Sequence, residues 1–89
     1  MYEEEQMIKI KFDKNNNRAI ALEADIIIGE CNFIENEENW NIIHTEVNNS
    51  YQGQGIARRL VDCIVKKAKD CNKNVIAECS YAKKILEKI

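Results

Sequence analysis

The 89-residue chain contains no proline, only three glycines and a single histidine. It holds no internal repeat, linker or low-complexity tract. No apolar run approaches ~18 residues, which excludes a transmembrane helix. The first six residues, Met1 to Gln6, are acidic and lack the basic and apolar regions of a secretory signal. An intracellular, cytoplasmic protein without a membrane partner is therefore expected. Positive charge is not in excess either: 13 basic residues face 15 acidic ones, for a net charge of −2. The basic residues are spread along the chain, so the patch that nucleic acid requires is missing and no nucleic-acid partner is expected. None of the four cysteines (Cys31, Cys63, Cys71, Cys79) forms a Cys-x-x-Cys pair, and His44 is remote from all of them in sequence. A structural zinc site is not expected, and no metal is assigned. A disulfide framework is also not expected without a secretion signal. Most of these cysteines read as small buried apolar residues, with Cys79 set apart below.

What is present is enough for a small folded domain. Hydrophobic residues make up 45% of the chain, which argues against disorder. The length gives one domain, 1–89, with a thin core. Met7 to Phe12 alternates apolar and charged residues as a half-buried strand does. The Asp13–Asn17 turn and a second strand, Arg18 to Leu22, complete a hairpin. After a turn at Glu23 to Asp25, Ile26 to Ile34 reads as a third strand with a bulge at Gly29. An acidic turn then leads to a fourth strand, Trp40 to Val47. From Ile56 to Ala68 the apolar period changes to three and four, the stripe of a helix on a sheet. Asn residues at 72 and 74 suit its C-cap. Asn74 to Cys79 reads as a fifth strand, and Ser80 as the N-cap of a short final helix, Tyr81 to Ile89. Strand, helix and strand with a short return make a βαβ crossover, so the fourth and fifth strands should be parallel. The expected fold is α/β (α+β): a mixed, mostly antiparallel five-stranded sheet with one main helix.

Two of the three glycines, Gly53 and Gly55, lie in the loop between the fourth strand and the main helix. Glycines let backbone approach a ligand closely, and the free N–H groups of a first helical turn attract anions. The consecutive amides from Gln52 to Ala57, with Arg58 and Arg59 in the first turn, suit a ligand bearing more than one phosphate. Two arginines at a helix N-terminus oppose the macrodipole, and an anionic ligand would account for them. The alternative is a bare turn with both arginines in solvent. The loop lacks the third glycine of a dinucleotide fingerprint and the Gly-Lys-Ser/Thr of a Walker loop.

Gln52-Gly53-Gln54-Gly55-Ile56-Ala57 resembles the Gln/Arg-x-x-Gly-x-Gly/Ala acetyl-CoA signature of the GNAT N-acetyltransferase superfamily. His44-Thr45-Glu46-Val47 before the loop and Cys79-Ser80-Tyr81 after the fifth strand are similar to its small single-domain group. The resemblance covers Ile8 to Lys88. It implies acetyl-CoA as cosubstrate, with pyrophosphate on the amides of Gln52, Gly53, Gln54, Gly55, Ile56 and Ala57. The pantetheine arm would lie where the fourth and fifth strands splay apart, paired with backbone near Thr45 to Val47. Arg58, Arg59 and Ser80 complete the expected cofactor set.

The resemblance also implies a thioester near Cys79. A helix N-terminus beside this thiol favours the thiolate, so Cys79 is a transient acetyl acceptor or a group that positions the thioester. The alternative is a small residue ending a strand. His44 is a candidate base near neutral pH or a strand residue bonded to backbone. Glu46, two residues on, shares its strand face and is a second candidate base. Tyr81 is a candidate acid for the leaving CoA thiolate, or packs its ring on the sheet. The chain is shorter than a full GNAT domain, so by the same resemblance it is expected to lack acceptor-side elements. The expected reaction is therefore acetyl transfer to an amine of a protein or peptide in an open cleft, by a monomer or weak dimer. A non-catalytic CoA-binding or regulatory module is the other reading.

Overall fold

The computed structural model describes residues 7–88; the acidic segment 1–6 and Ile89, expected to end the last helix, lie outside the described residues. The elements run β1 (Ile8–Asp13), β2 (Arg18–Glu23), β3 (Ile26–Glu35), β4 (Asn39–Val47), α1 (Ile56–Asp70), β5 (Asn74–Ala77) and α2 (Ser80–Glu87). They form one five-stranded sheet in sequence order. The first four strands are antiparallel and β5 is parallel to β4, as the βαβ reading requires.

Local chemistry explains the corners. Ala24 and Asp25 both take positive φ, as a two-residue hairpin turn needs. Helix α1 ends in a Schellman arrangement: Lys73 N–H donates to Ala68 O (2.8 Å) and Asn72 N–H to Lys69 O (3.1 Å). Asn72 holds the left-handed position there, with φ 59°.

One face of the sheet makes the core. Ala19, Ala21, Cys31, Phe33, Trp40 and Ile42 meet Ile56, Leu60, Val61 and Ile64 of α1, and α2 adds Ala82 and Ile85. Burying each large side chain contributes about 1.5–3 kcal/mol. The two alanines of β2 matter by being small. Beside Ala19, its register partner, Phe12 stacks on Trp40 at 5.6 Å, and Trp40 on Phe33 at 4.4 Å. The opposite face carries Lys9, Lys11, Ile34, His44, Glu46 and Ile76, all exposed. No helix among the described residues is long and apolar enough to cross a membrane.

Four expectations need correction. The bulge in β3 places the extra residue at Ile28, opposite the step from Ala21 to Leu22, not at Gly29. Gly29 serves close approach: a Cβ there would lie 3.2 Å from Glu46 O and 3.4 Å from the Leu60 side chain. Strand β5 stops at Ala77, because Glu78 and Cys79 both turn their N–H groups to Ile42 O. Cys79 then becomes the N-cap of α2 and Ser80 its first residue, with no capping side-chain bond. The cysteines also divide differently. Cys31 is fully buried, Cys63 and Cys79 are half-buried, and Cys71 is exposed.

Candidate functional site

The site begins where β4 and β5 part. Their parallel pairing ends at Ile42 and Ala77, while β4 continues to Val47 paired with β3 alone. A second bulge, at Ile43, lies at this point. It resets the alternation of β4, so Thr45 and Val47 face the helices while His44 and Glu46 face away. Strand β4 therefore offers an edge without a β5 partner from Ile43 to Val47.

The chain then crosses the glycine loop. Asn48 opens it by accepting from Ser50 N–H (2.8 Å), while its own N–H donates to Ile28 O. Gly53 and Gly55 both adopt left-handed φ, 84° and 76°, with open space where a Cβ would project. Gly55 is the N-cap of α1. From Gly53 to Arg58 no backbone N–H donates to another backbone group among the described residues; the first helical bond of this end is Arg59 N–H to Gly55 O. Six successive amides without a backbone acceptor, beside two glycines and a helix N-terminus, are donors of the kind that anions use. These donors fit a pyrophosphate.

A cavity of about 520 Å³ lies against the loop. Seven of the expected cofactor residues line it: Thr45, Val47, Gln52, Gly53, Gly55, Ile56 and Ala57. Tyr81 lines it too, about half exposed. Tyr51 is an addition that sequence reasoning missed, although an aromatic just before a glycine loop is a readable cue. Its phenol donates to the Glu23 carboxylate, which holds its pKa above the ordinary value. Gln54 and Ser80 do not line the cavity. Neither arginine does: Arg58 approaches Asp62 at 4.0 Å, and Arg59 donates to Ile8 O on β1 (3.2 Å).

Cys79 lies behind Thr45, its Sγ 3.6 Å from the Thr45 hydroxyl. Burial pushes this thiol up, but the Ala82 amide, the Thr45 hydroxyl and the amides of Tyr81 and Thr45 outweigh it, leaving the pKa below the ordinary 9.0. On the opposite sheet face His44 Nε2 and Glu46 Oε1 are 3.1 Å apart, both exposed. Glu30 joins them, with all three ligand atoms within 4.8 Å of one another. Arg18 already pairs with this Glu30 carboxylate at 2.8 Å. The structure thus divides the four expected catalytic residues: Tyr81 lines the cavity, Cys79 does not line it but touches its wall residue Thr45, and His44 and Glu46 lie on the other sheet face.

Residues 8–89 match the family described as GCN5-related N-acetyl-transferase. Among solved structures the chain is similar to a GCN5-like putative N-acetyltransferase from Staphylococcus aureus, with 30% identity, 90% of this chain and 78% of that one covered, and TM-score 0.70. It is similar in fold to Ard1 from Thermoplasma volcanium, with 14% identity, 81% and 53% covered, and TM-score 0.67. A third likeness is to a predicted acetyltransferase with acetyl-CoA from Clostridium acetobutylicum, with 22% identity, 84% and 58% covered, and TM-score 0.62. The chain spans little more than half the length of these last two. No curated protein matches it.

Proposed function

The chain belongs to the GCN5-related N-acetyltransferase family, and from that premise we propose that it binds acetyl-CoA and transfers the acetyl group to an amine of a protein or peptide. The observation that carries this reading is the run of unbonded amides from Gly53 to Arg58, at the end of a strand that has parted from its parallel neighbour. Those amides take the pyrophosphate. The free edge of β4 at Thr45 to Val47 takes the amides of the pantetheine arm, which directs the thioester toward Tyr81 and Cys79.

Acetyl-CoA supplies an activated acetyl group as a thioester. The acceptor amine attacks its carbonyl carbon, a C–N bond forms, and the C–S bond breaks. The amine proton passes to a base, for which the exposed His44–Glu46 pair is the candidate. The leaving thiolate takes a proton from the Tyr81 phenol. An acceptor reaching this pair arrives from the uncovered sheet face, which suits a polypeptide better than an enclosed metabolite. The position of His44 and Glu46 across the sheet from the cavity favours the second reading, a module that binds CoA without transfer.

Calorimetry with acetyl-CoA and CoA, followed by assay on a peptide panel, separates these readings. Saturable binding with acetylated peptide is expected. No binding at high micromolar ligand overturns the proposal, and binding without transfer to any peptide selects the second reading.

A further inference from the structure

The chain from Asn48 to Gly55 leads into the unbonded amides with few ties to the rest of the molecule. Most of its hydrogen bonds stay inside it. Ser50 N–H donates to Asn48 Oδ1 (2.8 Å), Tyr51 N–H to Asn48 O (2.9 Å) and Gln52 N–H to Asn49 O (3.3 Å). Among the described residues, two bonds tie this loop to the sheet. Asn48 N–H donates to Ile28 O (2.8 Å), and the Tyr51 phenol donates to the Glu23 carboxylate. Gly53 and Gly55 have open space where a Cβ would project, so no neighbour packs against them there.

Tyr51 is the last tethered residue before those amides. Its ring packs against the core and lines the cavity, while its phenol reaches a partner 28 residues earlier in the chain. That partner is firmly placed. Glu23 ends β2, paired with Ile8 of β1 on one side and Ile26 of β3 on the other. A hydrogen bond to a carboxylate is stronger than one between neutral groups. A loop that must be ordered on binding loses affinity to that ordering, and a tether already in place removes the loss.

We propose that Tyr51 is a positioning residue for the glycine loop, held to the end of β2 through Glu23 so that the amides from Gly53 onward are arranged before a ligand arrives. Its bearing on CoA rests on the reading given under Proposed function. The tether itself does not, and it is measured on protein free of ligand.

The experiment joins a double-mutant cycle on CoA affinity, by calorimetry, to the backbone amide heteronuclear NOE of Gly53 and Gly55 in ligand-free protein. Tyr51→Phe keeps the ring and removes the donor, and Glu23→Ala removes the acceptor. Each lowers CoA affinity about tenfold, on the scale of one charge-assisted hydrogen bond. The double variant loses no more than either single one, as two ends of one bond require. Glu23→Gln, whose amide oxygen still accepts, stays within about threefold of wild type. In Tyr51→Phe the NOE falls at Gly53 and Gly55 and holds at Ala19 to Ala21 of β2, a local change that a general loss of stability does not produce. Breaking the bond from either end keeps the result independent of the folding of one variant. Wild-type affinity in Tyr51→Phe, additive losses in the double variant, or an unchanged NOE at both glycines overturns the proposal. If wild-type protein binds no CoA, the functional reading fails; a fall in the NOE at both glycines of Tyr51→Phe then still supports the tether, and no change overturns it.

Discussion

Gly55 ends the loop and begins α1 in a single residue, and its φ of 76° is the reason it is glycine. Nothing lies within 4 Å of the Cβ an alanine would add, so any cost of substitution there is conformational. Gly55→Ala should lower stability by about 1–2 kcal/mol, the strain of a left-handed L-residue. Gly55→Asn, which tolerates that region, should lose about half as much. Urea denaturation of the two variants checks the difference, and CoA titration of the same samples tests whether affinity falls with the loop geometry. A second residue-level expectation concerns acid. The Asp13 carboxyl is held below its ordinary 3.8, first by the Asn16 side-chain amide and then by Arg18. The folded state thus gives up this proton more readily than the unfolded chain. Its contribution is complete above the ordinary value and is lost as pH falls from about 3.8 through the lower folded value. The melting temperature of wild-type protein should therefore drop more steeply from about pH 5 to about pH 3 than that of Asn16→Ala. Equal slopes would show that this carboxylate is not linked to folding.

At the scale of elements, α1 stops by side-chain choice as well as by chain geometry. Asn72 supplies the left-handed residue on which the Lys73-to-Ala68 and Asn72-to-Lys69 bonds depend. Asn72→Ala should cost about 1 kcal/mol, while Asn72→Gly stays within about 0.5 kcal/mol of wild type; chemical denaturation reads both. The C-cap was legible in the sequence because Asn is one of the few residues that adopts this conformation. So were the five strands and the parallel β4–β5 pair, because period-two and period-three-to-four patterns are unmixed in this chain. The bulge at Ile43 was not. An extra residue in one strand depends on the partner across it, and the adjacent pair Ile42-Ile43 is its only local trace. That single residue decides which of His44, Thr45, Glu46 and Val47 face the cavity. The glycine loop, with Gly53 and Gly55 both left-handed before α1, was legible as a loop; that it holds an anion is the proposal made above. Its arginines turn to partners elsewhere, Arg59 to an acceptor on β1, 51 residues earlier in the chain. The end of β5 was misplaced for a similar reason: Glu78 and Cys79 share one acceptor on β4.

For the molecule as a whole, the sheet is covered by helices on one face and open on the other. The family match spans residues 8–89 of this chain, while the chain itself spans about half of longer proteins with the same fold. Within that reduced frame the two walls of the cleft differ in how firmly they are built. The β4 wall belongs to a four-stranded meander with long registers. The other wall, β5 and the start of α2, joins the sheet along one strand only, through four paired positions and the two amides of Glu78 and Cys79 on Ile42 O. Stability is not uniform in such an arrangement, and weakly tied segments open separately from the rest. Amides of Val75 and Ile76 should exchange with deuterium through local opening, at lower free energy than those of Ala19 to Ala21, which require global unfolding. Equal protection across both sets would contradict this. If one wall does loosen alone, the pantetheine arm need not be threaded into a rigid slot. Under the proposed acetyl-CoA reading, the short parallel strand would then act as a hinged jamb, releasing and reclosing around a guest whose phosphates rest on the loop after β4.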